Sequence, residues 1–146
     1  MKWINHEIVT GVIVYGATQD MLAAAFAMGG AIFPDKVEGR LGASYWSWRA
    51  KHRGWSHWPV IYIALYAIMQ LGWLQAHNEI AVYGSYVCIG ALLHIAEDAV
   101  CGKVPCLFPW QKIGIKLFKV GSVTEYLFSM AVVVLTYIVH TQFMLK

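Results

Sequence analysis

Three apolar runs dominate the chain: Ser56 to Ala76, Ile80 to about Val100, and Val123 to Leu145. Each is about as long as the 20 or so residues a helix needs to cross a hydrocarbon core of roughly 30 Å. A chain of 146 residues with three such runs has no room for a second domain. It reads as a single membrane-embedded domain, residues 1–146, and as an all-α integral membrane protein. Composition agrees. The chain is 59% hydrophobic and 13% charged, with a mean hydropathy of +0.54. A soluble domain is nearer 45–50% apolar and about 25% charged. Seven Trp and eight Tyr suit a small bundle with aromatics at the two interfaces. The basic balance suits loops facing anionic lipid rather than nucleic acid. No cleavable signal peptide is expected: Asn5, His6 and Glu7 follow Lys2, and Asp20 interrupts the apolar run.

The stretch Ile8 to Phe33 has two readings. As one helix it spans the membrane with tilt, but Gln19-Asp20 then lies near mid-membrane, where an ionised Asp costs about 2.5–3.5 kcal/mol or more. As a helical hairpin, about 8–18 and 20–33, it turns at Gln19-Asp20, and this reading is favoured. The bundle therefore holds four to five transmembrane helices, the first two short. Pro34 is expected to end its helix at Phe33, because the residue before a proline is pushed out of the α region. Val37 to Arg53 reads as a polar, basic loop in which Ser44 to Arg49 lies at the interface. Residues 101–122 form a second interfacial loop, with Lys112 to Lys119 strand-like or lying against the lipid surface. Gly84, Ser85, Gly90 and Ala91 are small enough to let helices approach closely. With five helices, ten of the eleven Lys and Arg collect on the side of the N-terminus and only Lys146 lies opposite. The excess of positive charge places that side in the cytoplasm and the C-terminus outside it.

Polar groups mark the ends of the apolar segments on this same side. They are His6, Asp35, His52, His57, His94, Asp98 and Glu125. The densest stretch is His52-Arg53-Gly54-Trp55-Ser56-His57, which joins two imidazoles, a guanidinium and a hydroxyl. His94 and Asp98 are i,i+4 on one helical face, and Glu97 is i,i+3 from His94. Such a set suits Zn²⁺ first, with Mn²⁺ or Fe²⁺ as alternatives. Taken singly, a histidine or an acid at a helix end is usually just hydrated, and His52 and Arg53 can be read as positive-inside charges. His77 and His140 are assigned to structure. Cys88 reads as a small core residue. Cys101 and Cys106 could be ligands or a disulfide, but their loose spacing favours inert thiols.

These segments resemble a known family. His6, Gly30-Ala31-Ile32-Phe33-Pro34-Asp35, His52-Arg53-Gly54-Trp55-Ser56-His57, His94-x-x-x-Asp98 and Gly102-Lys103-Val104-Pro105 to Pro109-Trp110 are similar to the YdjM-type family of bacterial inner-membrane metal-dependent hydrolases, described as LexA-regulated. The resemblance implies metal-binding roles for His6, Asp35, His57, His94 and Asp98, and a site role for His52 and Arg53. Two departures stand out. Where the family carries a second acid two residues after Pro-Asp, this chain has Val37, with Glu38 the nearest acid. Where it often has Ser or Thr after His-x-x-x-Asp, this chain has Ala99, Val100 and Cys101.

The expected activity is hydrolysis of a phosphoester in a lipid or lipid-linked substrate at the cytoplasmic face. Arg53 is expected to clamp the phosphate, and Glu125 or Glu97 to act as general base. A structural metal site is an alternative. A metal transporter or sensor is another, disfavoured because Gln70 is the one strongly polar residue between Val60 and Gly72, and Thr136 the one polar residue between Met130 and Val139.

Overall fold

The computed structural model describes residues 1–38 and 53–143. Five α-helices account for most of them: α1 (Trp3–Thr18), α2 (Met21–Glu38), α3 (Pro59–Ala76), α4 (Glu79–Cys101) and α5 (Val123–Phe143). They pack in the order α5, α1, α2, α4, α3, each against its neighbours. The expected interfacial segment at Ser44 to Arg49, His52 and the last three residues lie outside the described residues.

The stretch from Ile8 to Phe33 is a hairpin, not one helix. Gln19 ends α1 in the left-handed region (φ 57°), its backbone N–H donating to Tyr15 O. Asp20 opens α2: its Oδ1 accepts from the backbone N–H groups of Leu22 (2.8 Å) and Ala23 (3.2 Å). Short polar side chains of this kind satisfy the free donors of a helix start. A second turn joins α3 and α4. His77 caps α3 with φ 48°, and the Asn78 side chain accepts from Ile80 N.

Two sequence expectations are corrected here. Pro34 does not end its helix at Phe33, for α2 continues to Glu38 with Pro34 inside it. A proline removes one backbone hydrogen bond from a helix interior. The extra turn is held from outside instead, because Asp35 and Glu38 both accept hydrogen bonds from other segments. The second correction is the start of α3, which is Pro59 and not Ser56. Trp55–His57 form a separate 3-10 turn, Trp58 is extended, and Pro59 occupies the first helical turn. There the restriction imposed by proline does operate.

α2 and α4 make the closest pair. A Cβ on Gly30 would strike the Val87 carbonyl, and one on Gly90 would strike the Ala27 carbonyl. The two backbones therefore touch. Ala23, Ala27, Ala31 and Ala91 are fully buried around this contact. Small residues let apolar helices associate by close packing rather than by side-chain interdigitation.

Two helices are long and apolar enough to cross a membrane, Glu79–Cys101 and Val123–Gln142; Pro59–Leu74 is apolar but shorter. On α5, Leu127, Met130, Val134, Leu135 and Ile138 are all exposed.

Of the 101–122 loop, Lys112–Ile113 does form a strand, a two-residue pairing with Val104–Pro105. The rest is irregular and is pinned across the end of α4. Ile115 N–H donates to Ala99 O and Leu117 N–H to Val100 O, both at 2.8 Å. Phe118 is buried against Met1 and Val9.

Candidate metal centre

Four chain segments meet at one end of the bundle. α4 carries His94 and Asp98 one turn apart. The last turn of α2 supplies Asp35, and the first turns of α1 supply His6. The 3-10 turn before α3 presents His57. Four atoms converge: Asp35 Oδ1, His57 Nε2, His94 Nε2 and Asp98 Oδ2. His57 Nε2 lies 3.3 Å from Asp35 Oδ1, 3.3 Å from His94 Nε2 and 3.6 Å from Asp98 Oδ2. His94 Nε2 lies 3.7 Å from Asp35 Oδ1 and 3.8 Å from Asp98 Oδ2. A tetrahedral ion with bonds of about 2.0–2.1 Å needs donors about 3.3–3.4 Å apart, so these edges fit with a few tenths of an ångström to close. His6 adds a donor beyond Asp98: its Nε2 is 3.4 Å from Asp98 Oδ1, and its ring stacks on His94 with centroids 3.9 Å apart. His6, His94 and Asp98 thus form a second grouping that overlaps the first, Asp35, His57 and His94.

The donors are held from behind. Asp35 Oδ2 accepts from the Trp3 indole N–H at 2.8 Å. His6 Nδ1 pairs with Glu97 Oε2 at 2.5 Å, and Glu97 Oε1 lies 3.4 Å from the Thr10 hydroxyl. Behind His57, Ser56 Oγ lies 2.9 Å from Nδ1 and donates to Glu38 Oε1 at 2.6 Å. Ligating histidines in metalloproteins are oriented by such outer partners. Asp98 is gripped most firmly. Arg53 meets both of its oxygens, Nη2 donating to Oδ1 at 2.9 Å and Nε in ion-pair contact with Oδ2 at 2.8 Å, and the Met1 ammonium donates to Oδ1 at 2.6 Å.

His6, His57 and His94 are at most 1% exposed. Buried polar atoms almost always have partners. Yet His6 Nε2, the ring nitrogen on the Asp98 side, has no hydrogen-bond partner among the described residues. Without an ion the centre draws protons. Burial acts to lower the His57 pKa, but hydrogen bonds to Asp35 and Glu38 outweigh it and raise the ring above 6.5. The residues present therefore fit a bound divalent metal, in both donor type and spacing.

The site residues expected from the sequence divide as follows. His6, Asp35, His57, His94, Asp98 and Arg53 come together. Arg53 faces Asp98 rather than open space, and no α-helix begins at Ser56 to assist it. Glu97 stands behind His6. Glu125 lies apart: it is fully buried and accepts from Lys2 N, Asn5 Nδ2 and Gly121 N, tying the start of α5 to the start of α1. Those bonds leave it a structural place, away from the converging donors. His52 lies outside the described residues. His140 meets Gln19 at the far end of the bundle, and His77 caps α3. The three cysteines are free thiols.

Sequence reasoning missed Trp3, Ser56 and the role of Glu38. The spacing held a signal for Glu38, three residues after Asp35 and so on the same helical face.

Fold and site together define a helical membrane bundle that gathers a buried His/Asp centre at one end. The chain matches the YdjM inner membrane protein family over residues 1–145 and belongs to that family. No curated protein and no solved structure matches it.

Proposed function

We propose that this inner-membrane protein is a metal-dependent hydrolase acting on a phosphoester of a lipid or lipid-linked substrate at the cytoplasmic face. One observation carries the reading: Asp35, His57 and His94 present three donor atoms within 3.7 Å of one another, and Asp98 Oδ2 lies 3.6 and 3.8 Å from the two imidazoles, all drawn from three separate segments. When bound there, a divalent ion, Zn²⁺ first and Mn²⁺ second, supplies Lewis acidity toward a phosphoryl oxygen and lowers the pKa of water. The protein's own residues do the rest. Arg53 and the Met1 ammonium hold Asp98 as a carboxylate facing the centre. Glu97 holds His6 so that its Nε2 faces inward, in reach of a proton. Arg53 also borders Gly102, and a phosphoryl group entering there would compete with Asp98 for the guanidinium.

The orientation belongs to the same proposal. All five helices cross or enter the bilayer, the N-terminus and the centre face the cytoplasm, and the C-terminus faces the periplasm. The ten Lys and Arg on the side of the centre support it.

The near-complete burial of the histidines favours a second reading, a metal that only staples the bundle. A paired experiment separates them. Purified protein is assayed for metal content and for head-group release from phospholipids and isoprenoid phosphates, beside His57→Ala. About one metal per chain, with hydrolysis abolished by His57→Ala, is the expected result. Metal without hydrolysis of any substrate leaves the staple. Folded protein that neither carries nor takes up Zn²⁺ or Mn²⁺ overturns both.

A further inference from the structure

We infer that Ser56 and Glu38 form a relay that fixes His57 in the one neutral tautomer able to hold a metal; this rests on the metal-centre reading above. The reasoning is a count of protons. Ser56 Oγ lies 2.6 Å from Glu38 Oε1 and 2.9 Å from His57 Nδ1. A hydroxyl has a single proton, and a carboxylate can only accept. The Ser56 proton therefore goes to Glu38, and only a lone pair is left to face the ring. His57 Nδ1 must then carry the ring hydrogen and donate it to Oγ. A neutral imidazole with its hydrogen on Nδ1 has its free lone pair on Nε2. Nε2 is the atom that lies 3.3 Å from both Asp35 Oδ1 and His94 Nε2. The opposite tautomer would drive an N–H into the centre and set two lone pairs against each other at Ser56.

The relay is built rigidly. Glu38 also accepts from the backbone N–H groups of Arg53 (3.3 Å) and Gly54 (3.1 Å). The Ser56 carbonyl accepts from the Tyr62 hydroxyl at 2.7 Å, which ties the turn to α3. Ser56 is 1% exposed and His57 is fully buried. Glu38 stands one turn after Asp35 on α2. One helical turn thus gives the centre a donor and also the acceptor that aims a second donor. His6 reaches the same state by a shorter route, with Glu97 directly on its Nδ1. Ser56 is a positioning residue here, acting through His57.

A merely structural Ser56 would pin the turn without setting the ring. Ring-nitrogen NMR on metal-free protein with isotope-labelled histidine, at mildly alkaline pH, tells the two apart. The His57 signals are assigned by their loss in His57→Gln. Wild type is expected to show Nδ1 protonated and Nε2 bare. In Ser56→Ala the hydroxyl is gone, Glu38 approaches Nδ1 only at the longer 3.4 Å, and the two tautomers should mix. Zinc affinity measured by chelator competition should fall about ten- to hundredfold. Ser56→Thr should restore both readouts. Glu38→Ala frees the hydroxyl to donate to the ring and should turn the signature over. A wild-type His57 protonated on Nε2 overturns the relay, whether or not any variant folds. So does a Ser56→Ala protein with unchanged ring signals and unchanged zinc affinity. If wild type shows the expected tautomer but binds no zinc, the relay stands and the metal reading falls.

Discussion

Asp98 meets the Arg53 guanidinium with both oxygens, one by a hydrogen bond and one by ion-pair contact, and turns Oδ2 toward two imidazoles. Arg53 therefore fixes where the Asp98 carboxylate points. Its backbone is bent for the task, with φ 61°, a region that non-glycine residues visit rarely. Lysine keeps the charge but, as a compact point charge, cannot meet both carboxylate oxygens as the planar guanidinium does. Arg53→Lys is expected to leave the fold intact and to weaken zinc binding about tenfold, the usual scale for an outer-shell partner. Gly102→Ala should act in the same direction, because a Cβ there would meet the Arg53 guanidinium. Chelator-competition titration of both variants checks this; wild-type affinity in both would show that the guanidinium does not position Asp98. At this scale the residues that converge were legible in the sequence, because a histidine or an acid is conspicuous in so apolar a chain. Their partners were not. Spacing cannot say which carboxylate a guanidinium will face, so Arg53 reads as a free phosphate clamp. Nor can it say that Glu125 is consumed by backbone N–H groups of Lys2 and Gly121.

α2 and α4 hold the centre together, and they touch through Gly30 and Gly90. Alanine at either position would put a methyl group into a carbonyl of the facing helix. Overpacking of this kind costs about 1–3 kcal/mol. It should also carry Asp35 on α2 away from His94 on α4. Gly30→Ala and Gly90→Ala are therefore expected to lower the melting temperature in detergent and to weaken metal binding together. Thermal unfolding with and without a chelator measures both. A variant that melts lower but keeps full affinity would mean that the centre is not strung across this contact. The small residues of α4 announced a close approach in the sequence, though not which helix would approach. Pro34 misled for a physical reason. Whether a proline ends a helix depends on what holds the turn after it, and here the holding groups are Trp3 and the backbone of Arg53 and Gly54, remote in sequence. At Pro59 nothing holds the preceding residues in a helix, and the local rule prevails.

For the whole molecule, the charge pattern and the family give an inner-membrane protein, and the hairpin gives an odd number of helices. Cysteine labelling in a background lacking Cys88, Cys101 and Cys106 tests the proposed orientation. A label at Ile115 should be shielded from a membrane-impermeant reagent added outside, and one near Phe143 should react. The reverse pattern would place the centre in the periplasm. The apolar runs made the bundle legible from sequence. How its ends close was not, because that depends on contacts between residues nearly a hundred positions apart, such as Met1 with Asp98. This spread has a consequence for biogenesis. A ribosome delivers His6 and Asp35 first, then His57, and only much later His94 and Asp98. On the proposed metal reading, an ion that meets the nascent chain early finds only three of these five side chains. On that reading capture waits for the fourth helix, and loading with metal would mark the moment when α4 has joined the three helices before it.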